Sequence, residues 1–184
     1  SPYRRELLER LAVPFSQSSP EVDEESFDHR FEALGPGDFA LELARAKAAA
    51  LRQPGGDRWL LCADQVGVLE HGGKKTLLRK PGTAERCVDQ LMMLSGKPHQ
   101  LVNGIVLVSE ATGTEHVALD VQTLTMRAFA RPEAESYVKR CAPLDCAGGY
   151  RIEDEGIRLF ESIESRDYTG IIGLPLLATA TLLR

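Results

Sequence analysis

The chain has 184 residues, 43% hydrophobic and 27% charged, ordinary values for a soluble globular protein and enough to bury a real core in a single domain spanning residues 1–184. A formal net charge of -5 excludes a globally basic surface for DNA or RNA, so an anionic ligand needs basic groups gathered locally or a bridging metal. The longest apolar runs fall well short of a membrane span, no signal-peptide pattern opens the chain, and Cys62, Cys87, Cys141 and Cys146 form no C-x-x-C pair, so they read as reduced thiols of a cytoplasmic protein.

In chain order, Ser1-Pro2 reads as a helix start with Ser at the N-cap, and the helix is expected to run through Leu7, Leu8 and Leu11 to about Val13. An α/β chain usually supplies a strand just before such a helix, so a short strand preceding Ser1 is expected to be missing from this sequence. Residues 16–37 are polar and acidic and read as a loop. A helix is expected from about Asp38 to Gln53, with Ala40, Leu43, Ala44, Ala48 and Leu51 on one face and Pro54-Gly55-Gly56 as its stop. Trp59 to Leu69 reads as a buried strand, His71-Gly72-Gly73 as a turn and Arg79 to Gly82 as a loop. Thr83 caps an expected helix over 84–94, with Val88, Leu91 and Met92 inward and Gly96 as terminator. Extended stretches 101–109 and 116–129 follow, and the alternation of Val117, Leu119 and Val121 predicts a half-buried antiparallel hairpin. Pro132 opens a helix to about Cys141, Gly148, Gly149 and Gly156 flank a loop, and Gly173-Leu174-Pro175 precedes a last apolar helix.

Asp64 breaks this apolar pattern. A carboxylate inside the run Trp59 to Leu69 bears a large desolvation cost unless a cation, metal or donor meets it, so it is either a structural ion-pair partner or the centre of a site. Arg4 and Arg5 lie in the first turn of a helix, where positive charge opposes the dipole; they fit either as solvated surface groups or as contacts to an anion docked there. Lys47 falls on or beside the apolar face set by Leu43 and Leu51, as a snorkelling lysine or an inward cation does. Lys80 before Pro81 and Glu24 in the acidic loop say little alone. None of the histidines stands at metal-ligand spacing.

Several segments, in order, resemble the Maf nucleotide pyrophosphatases. Ser1-Pro2-Tyr3-Arg4-Arg5-Glu6-Leu7-Leu8 is similar to the S-x-R-R-x-x-L-L opening, Pro20 to Glu24 to P-x-V-D-E, and Ala44 to Ala48 to A-x-x-K-A. Asp64-Gln65 is similar to the strand D-[TQ] motif, Lys80-Pro81 to the K-P loop, and Ser95 to Gly104 to S-G-x-x-H-x-V-x-T-G with Asn103 replacing Thr. Cys146 to Tyr150 and Gly173 to Pro175 complete the series, which covers essentially the whole chain.

The resemblance implies a Maf/ITPase-like α/β fold, a mixed twisted sheet flanked by helices, in a homodimer. It implies hydrolysis of a nucleoside triphosphate substrate to the monophosphate and pyrophosphate with a divalent metal cation, Mg2+ or Mn2+. Asp64 would then be general base or metal holder, Glu24 a second metal carboxylate, and Ser1, Arg4, Arg5, Lys47 and Lys80 phosphate contacts. Tyr3, Gln65 and Glu153 match the branch resembling 7-methyl-GTP pyrophosphatases, where the branch for dTTP and UTP carries Arg, Thr and Gln. A methylated guanine is cationic, so an aromatic face and a carboxylate suit it. The alternatives are a dTTP, UTP or modified-pyrimidine pyrophosphatase, and, from another class, a non-catalytic binder of methylated guanine nucleotides or a septation regulator.

Overall fold

The computed structural model describes residues 1–53 and 55–184. The expected helix stop at Pro54 lies outside the described residues. The elements are α1 (Pro2–Glu9), α2 (Phe31–Leu51), β1 (Trp59–His71), β2 (Lys74–Leu78), α3 (Ala84–Leu94), β3 (Pro98–Ser109), β4 (Glu115–Met126), α4 (Arg131–Cys141), β5 (Phe160–Glu164), α5 (Thr169–Ile172) and α6 (Leu176–Leu182). They form two compact units, one of residues 1–65, 102–121 and 167–184, the other of residues 66–101 and 122–166.

In the first unit the strand order is β1-β3-β4, with a helical layer on each face. Side chains alternate along a strand, so Cys62 of β1 and Val106 and Val108 of β3 point to one face and pack with Leu41, Ala44 and Ala48 of α2. Ala63 and Ile105 point to the other, against Leu7 of α1 and Leu174. Gly104 lets α2 come close: a Cβ there would lie 2.5 Å from the backbone carbon of Ala40. Helix α1 is shorter than expected, ending at Glu9, and Ala12 beyond it takes a positive φ of 54°.

The expected loop over 16–37 is partly helical. Asp23 caps a 3-10 turn, Glu24–Arg30, by accepting from the Ser26 amide, and α2 starts at Phe31 with a break at Gly35 (φ 72°), which no side-chain-bearing residue adopts readily. Phe31 meets Phe39 edge-to-face at 5.3 Å across that break, so an aromatic pair holds a segment whose polarity suggested a loop.

The second unit takes the order β2-β1-β3-β4-β5 and buries α3, α4 and strand side chains together. Thr83 caps α3 by accepting from the Arg86 amide, with Val88 and Leu91 buried as expected and Met92 only half-buried. The α/β class with flanking helices is as expected, but the strands run antiparallel where the resemblance implied a mixed sheet. The connections give the reason for two of the pairings. Gly72-Gly73, with φ of 59° and 77°, makes a two-residue hairpin between β1 and β2, and residues 110–114 link β3 to β4; links this short reverse the chain, whereas a parallel pair needs a long crossover.

Val117, Leu119 and Val121 alternate along β4 as expected, and this row is the more open one, 44%, 48% and 45% exposed, while Ala118 and Asp120 between them are half-buried. Alternation shows that a strand has two unlike faces; which one is covered depends on the neighbouring elements.

Candidate functional site

In the first unit, one cation joins two of the acids singled out from the sequence. Lys47 Nζ lies 2.7 Å from Glu24 Oε1 and 3.0 Å from Asp64 Oδ1. Three local choices place it. Asp64 shares the β1 face of Cys62, which looks at α2; Lys47 sits one turn after Leu43 and Ala44 on the edge of the buried face of α2; Glu24 opens the 3-10 turn capped by Asp23. The Asp64 residue is 6% exposed, and its Oδ1 also accepts from the Gln65 amide at 3.0 Å. Its Oδ2 is buried without a hydrogen-bond partner, which is costly for a carboxylate oxygen.

Arg4 enters from the opposite helical layer. Its Nε donates to the Gly173 carbonyl at 2.8 Å, and its guanidinium comes to 4.0 Å from Asp64 Oδ1. The carbonyl and the carboxylate offset the unfavourable helix-end position of this arginine. The joint positive field is visible at Cys62, whose thiol is pushed up by burial while Lys47 and Arg4 pull it down.

Gln65, one residue on, points to the other face. Its Nε2 donates to the carbonyls of Gly170 at 2.7 Å and Ile171 at 3.2 Å, and Asn103 Nδ2 donates to the Gly170 carbonyl at 2.9 Å. Carbonyls only accept, so the Gln65 amide must present its hydrogens to them. The segment carrying those carbonyls is tied by Asp167, which accepts from the amides of Thr169 at 3.0 Å and Leu177 at 2.7 Å. Asp167, Thr169 and Asn103 were given no role from the sequence. The Asp167-x-Thr169 pattern ahead of a Pro-led helix was the available signal, since both residue types cap turns.

The structure thus brings Arg4, Glu24, Lys47 and Asp64 together. It does not add Arg5, which is exposed and pairs with Glu9 at 3.0 Å. Ser1 is exposed and contributes its backbone carbonyl to Gln17 Nε2 at 3.1 Å rather than a side-chain cap to α1; Tyr3 is half-buried on α1. Lys80 and Glu153 belong to the second unit, where both are exposed. All four cysteines are free, and no helix among the described residues is long and apolar enough to cross a membrane.

The chain is similar to known proteins along its full length. The profile described as Maf-like protein matches residues 1–184. The chain is 36% identical over 184 residues to a 7-methyl-GTP pyrophosphatase of Hahella chejuensis, covering 100% of this chain and 89% of that protein. It is 39% identical over 183 residues to the 7-methyl-GTP pyrophosphatase of Pseudomonas putida (100% and 91% covered) and 39% identical over 184 residues to that of Bdellovibrio bacteriovorus (100% and 92% covered). A family match over residues 1–184 and relatives at 36–39% identity over nearly their whole length leave one conclusion: the chain belongs to the Maf-like protein family.

Proposed function

We propose that this chain is a nucleoside triphosphate pyrophosphatase that splits 7-methyl-GTP into the monophosphate and pyrophosphate. The reaction class and the methylated substrate rest on the relatives that carry that activity in their names. The observation that carries the chemistry is the buried Asp64, held by Lys47 on one oxygen and with the other lacking a partner.

Asp64 acts either as general base on the attacking water or as holder of the metal that acidifies it, while Lys47 orients the carboxylate through Oδ1. Arg4 and Lys47 then neutralise the charge that grows on the phosphates as the pyrophosphate leaves. Arg5, Lys80 and Ser1 are assigned phosphate contacts by their motif positions.

A divalent metal, Mg2+ or Mn2+, fits the donor set. Its ligands here would be the hard carboxylate oxygens of Glu24 and Asp64, of which Asp64 Oδ2 is a buried acceptor in need of a partner. Among the described residues no group of three His, Cys, Asp or Glu could hold a metal, and a magnesium-type ion commonly takes one or two carboxylates and completes its shell with substrate phosphate and water. When bound, the metal supplies charge stabilisation at the phosphates and acidifies water.

For the base, Tyr3 offers a face for stacking and cation–π attraction, and Glu153 an acceptor for the N1–H and amino group. Gln65, with its amide hydrogens spent on Gly170 and Ile171, has its Oε1 left to offer. We assign the protein to the cytoplasm as a homodimer. Pyrophosphate release from 7-methyl-GTP, GTP, dTTP, UTP, CTP and ITP with added Mg2+ or Mn2+ tests the reading. The expected order puts 7-methyl-GTP first; equal rates on dTTP would remove the specificity claim, and no release from any of them would remove the enzyme.

A further inference from the structure

The second unit contains three consecutive acids that the fold treats differently. Glu155 is paired with Arg140, 2.7 Å between Oε2 and Nη2. Asp154 is tied on both oxygens: Oδ2 meets Arg151 Nε at 3.0 Å, and Oδ1 accepts from the Gly156 amide at 2.8 Å and from the Tyr137 hydroxyl at 3.2 Å. Glu153 alone is exposed and makes no hydrogen bond or ion pair among the described residues.

Tyr137 of α4 is the hub of this turn. Its hydroxyl accepts from the Arg151 amide at 3.0 Å while donating to Asp154, so it clamps the backbone on one side of Glu153 and the side chain on the other. The residue is only 2% exposed, and burial pushes its hydroxyl pKa up, which keeps the donor protonated. Arg151 adds a third tie by donating from its guanidinium to the Cys141 carbonyl at the end of α4. The turn is drawn tight over the hydroxyl: a Cβ on Gly156 would lie 2.7 Å from the Tyr137 oxygen and 2.1 Å from the Arg151 carbonyl. A chain held at 151, 154 and 156 leaves the Glu153 backbone little freedom, so the point from which its side chain reaches out is set in advance of any ligand.

We propose that Tyr137 is a positioning residue for base recognition: through Arg151 and Asp154 it fixes the turn that presents the Glu153 carboxylate to the methylated guanine. This rests on the reading of Glu153 as the base-recognising acid. An acceptor carried on a fixed backbone has less freedom to lose when it binds, so the benefit appears in affinity for the base it complements and not in the chemistry at phosphorus. Removing one hydroxyl from Tyr137 therefore separates selectivity from turnover.

The test compares wild type with Tyr137→Phe, Asp154→Asn, Glu153→Gln and the double variant Tyr137→Phe/Glu153→Gln, using kcat and KM on 7-methyl-GTP and GTP and calorimetric binding of 7-methyl-GMP. In Tyr137→Phe the KM for 7-methyl-GTP is expected to rise about 10-fold with kcat retained and the KM for GTP little changed, and 7-methyl-GMP binding to weaken in step. In the Glu153→Gln background the Tyr137 change is expected to have no further effect, because it acts through that carboxylate. Equal losses on both triphosphates, or additive losses in the double variant, would overturn the positioning role. Should Tyr137→Phe fail to fold, Asp154→Asn decides by the same criteria. If Glu153→Gln itself leaves the preference between 7-methyl-GTP and GTP unchanged, the base-recognition reading falls; if it changes that preference while the Tyr137 and Asp154 variants behave as wild type, only the positioning role falls.

Discussion

Lys47 and Asp64 meet at 3.0 Å with side chains only 14% and 8% exposed, and the same ammonium reaches Glu24 at 2.7 Å. One lysine is therefore shared by two carboxylates in a largely buried position. Replacing Lys47 by Met leaves Asp64 buried without its cation and is expected to lower unfolding free energy by about 3 kcal/mol. Urea denaturation measures it; a stability equal to wild type would show that Arg4 alone satisfies the carboxylate.

Asp64→Asn keeps the shape and removes the base. Pyrophosphate release is expected to fall on the order of 10³-fold, the loss typical for removal of a general base. Activity within a few fold of wild type would assign the proton transfer elsewhere.

Gly104→Ala probes how closely α2 approaches β3. The new methyl would lie 2.5 Å from the Leu41 amide nitrogen and the Ala40 carbonyl carbon, both backbone atoms that cannot swing away. Overpacking of this kind costs about 2 kcal/mol, and because the same helix carries Lys47, catalytic rate should drop along with melting temperature. Unchanged melting would contradict the close contact.

His99 sets an acid limit on stability. Burial lowers its pKa from 6.5 to about 4, and its Nε2 is 2.7 Å from the Tyr150 hydroxyl. Below pH 6.5 the unfolded chain takes up a proton that the folded chain refuses, so the stabilisation is full above 6.5 and is lost as pH falls toward about 4. The loss amounts to roughly 3 kcal/mol across that window. Denaturant titrations at intervals across it should slope downward in wild type and flatten in His99→Gln; parallel slopes would exclude His99 as the source.

A second, lower window belongs to Glu110. The Arg58 guanidinium, bonded to both of its oxygens at 2.8 Å, and the Gln53 amide hold its pKa near about 2, below the usual 4.5. Here the unfolded carboxyl protonates first, so the contribution present above pH 4.5 disappears as pH falls toward about 2. Glu110→Gln should remove that lower limb and leave the His99 limb intact, a separation that acid titrations of the two variants can read directly.

Helix α3 was legible to its ends because a Thr cap, an apolar stripe and a Gly stop all agree. Asp64 was legible as an energetic anomaly, and Lys47 as a cation too near an apolar face; their pairing was not, because the contact spans two elements. The turn at Glu24–Arg30 was missed, as its acidic composition outweighed the Asp23 cap. The carbonyls of Gly170, Ile171 and Gly173 were invisible for a simpler reason: every residue has a carbonyl, and only the fold aims one.

Strand β1 carries its chemistry as a phase. Asp64 faces the lysine of one helical layer while Gln65 faces the carbonyls of the other. A single residue inserted ahead of them would bring the carboxylate against carbonyl oxygens, acceptor against acceptor; a single residue deleted would put the Gln65 amide before the ammonium. The length of residues 59–65 therefore cannot vary by one without misplacing one of the pair, and alteration of the chain length is confined to the turns outside that segment.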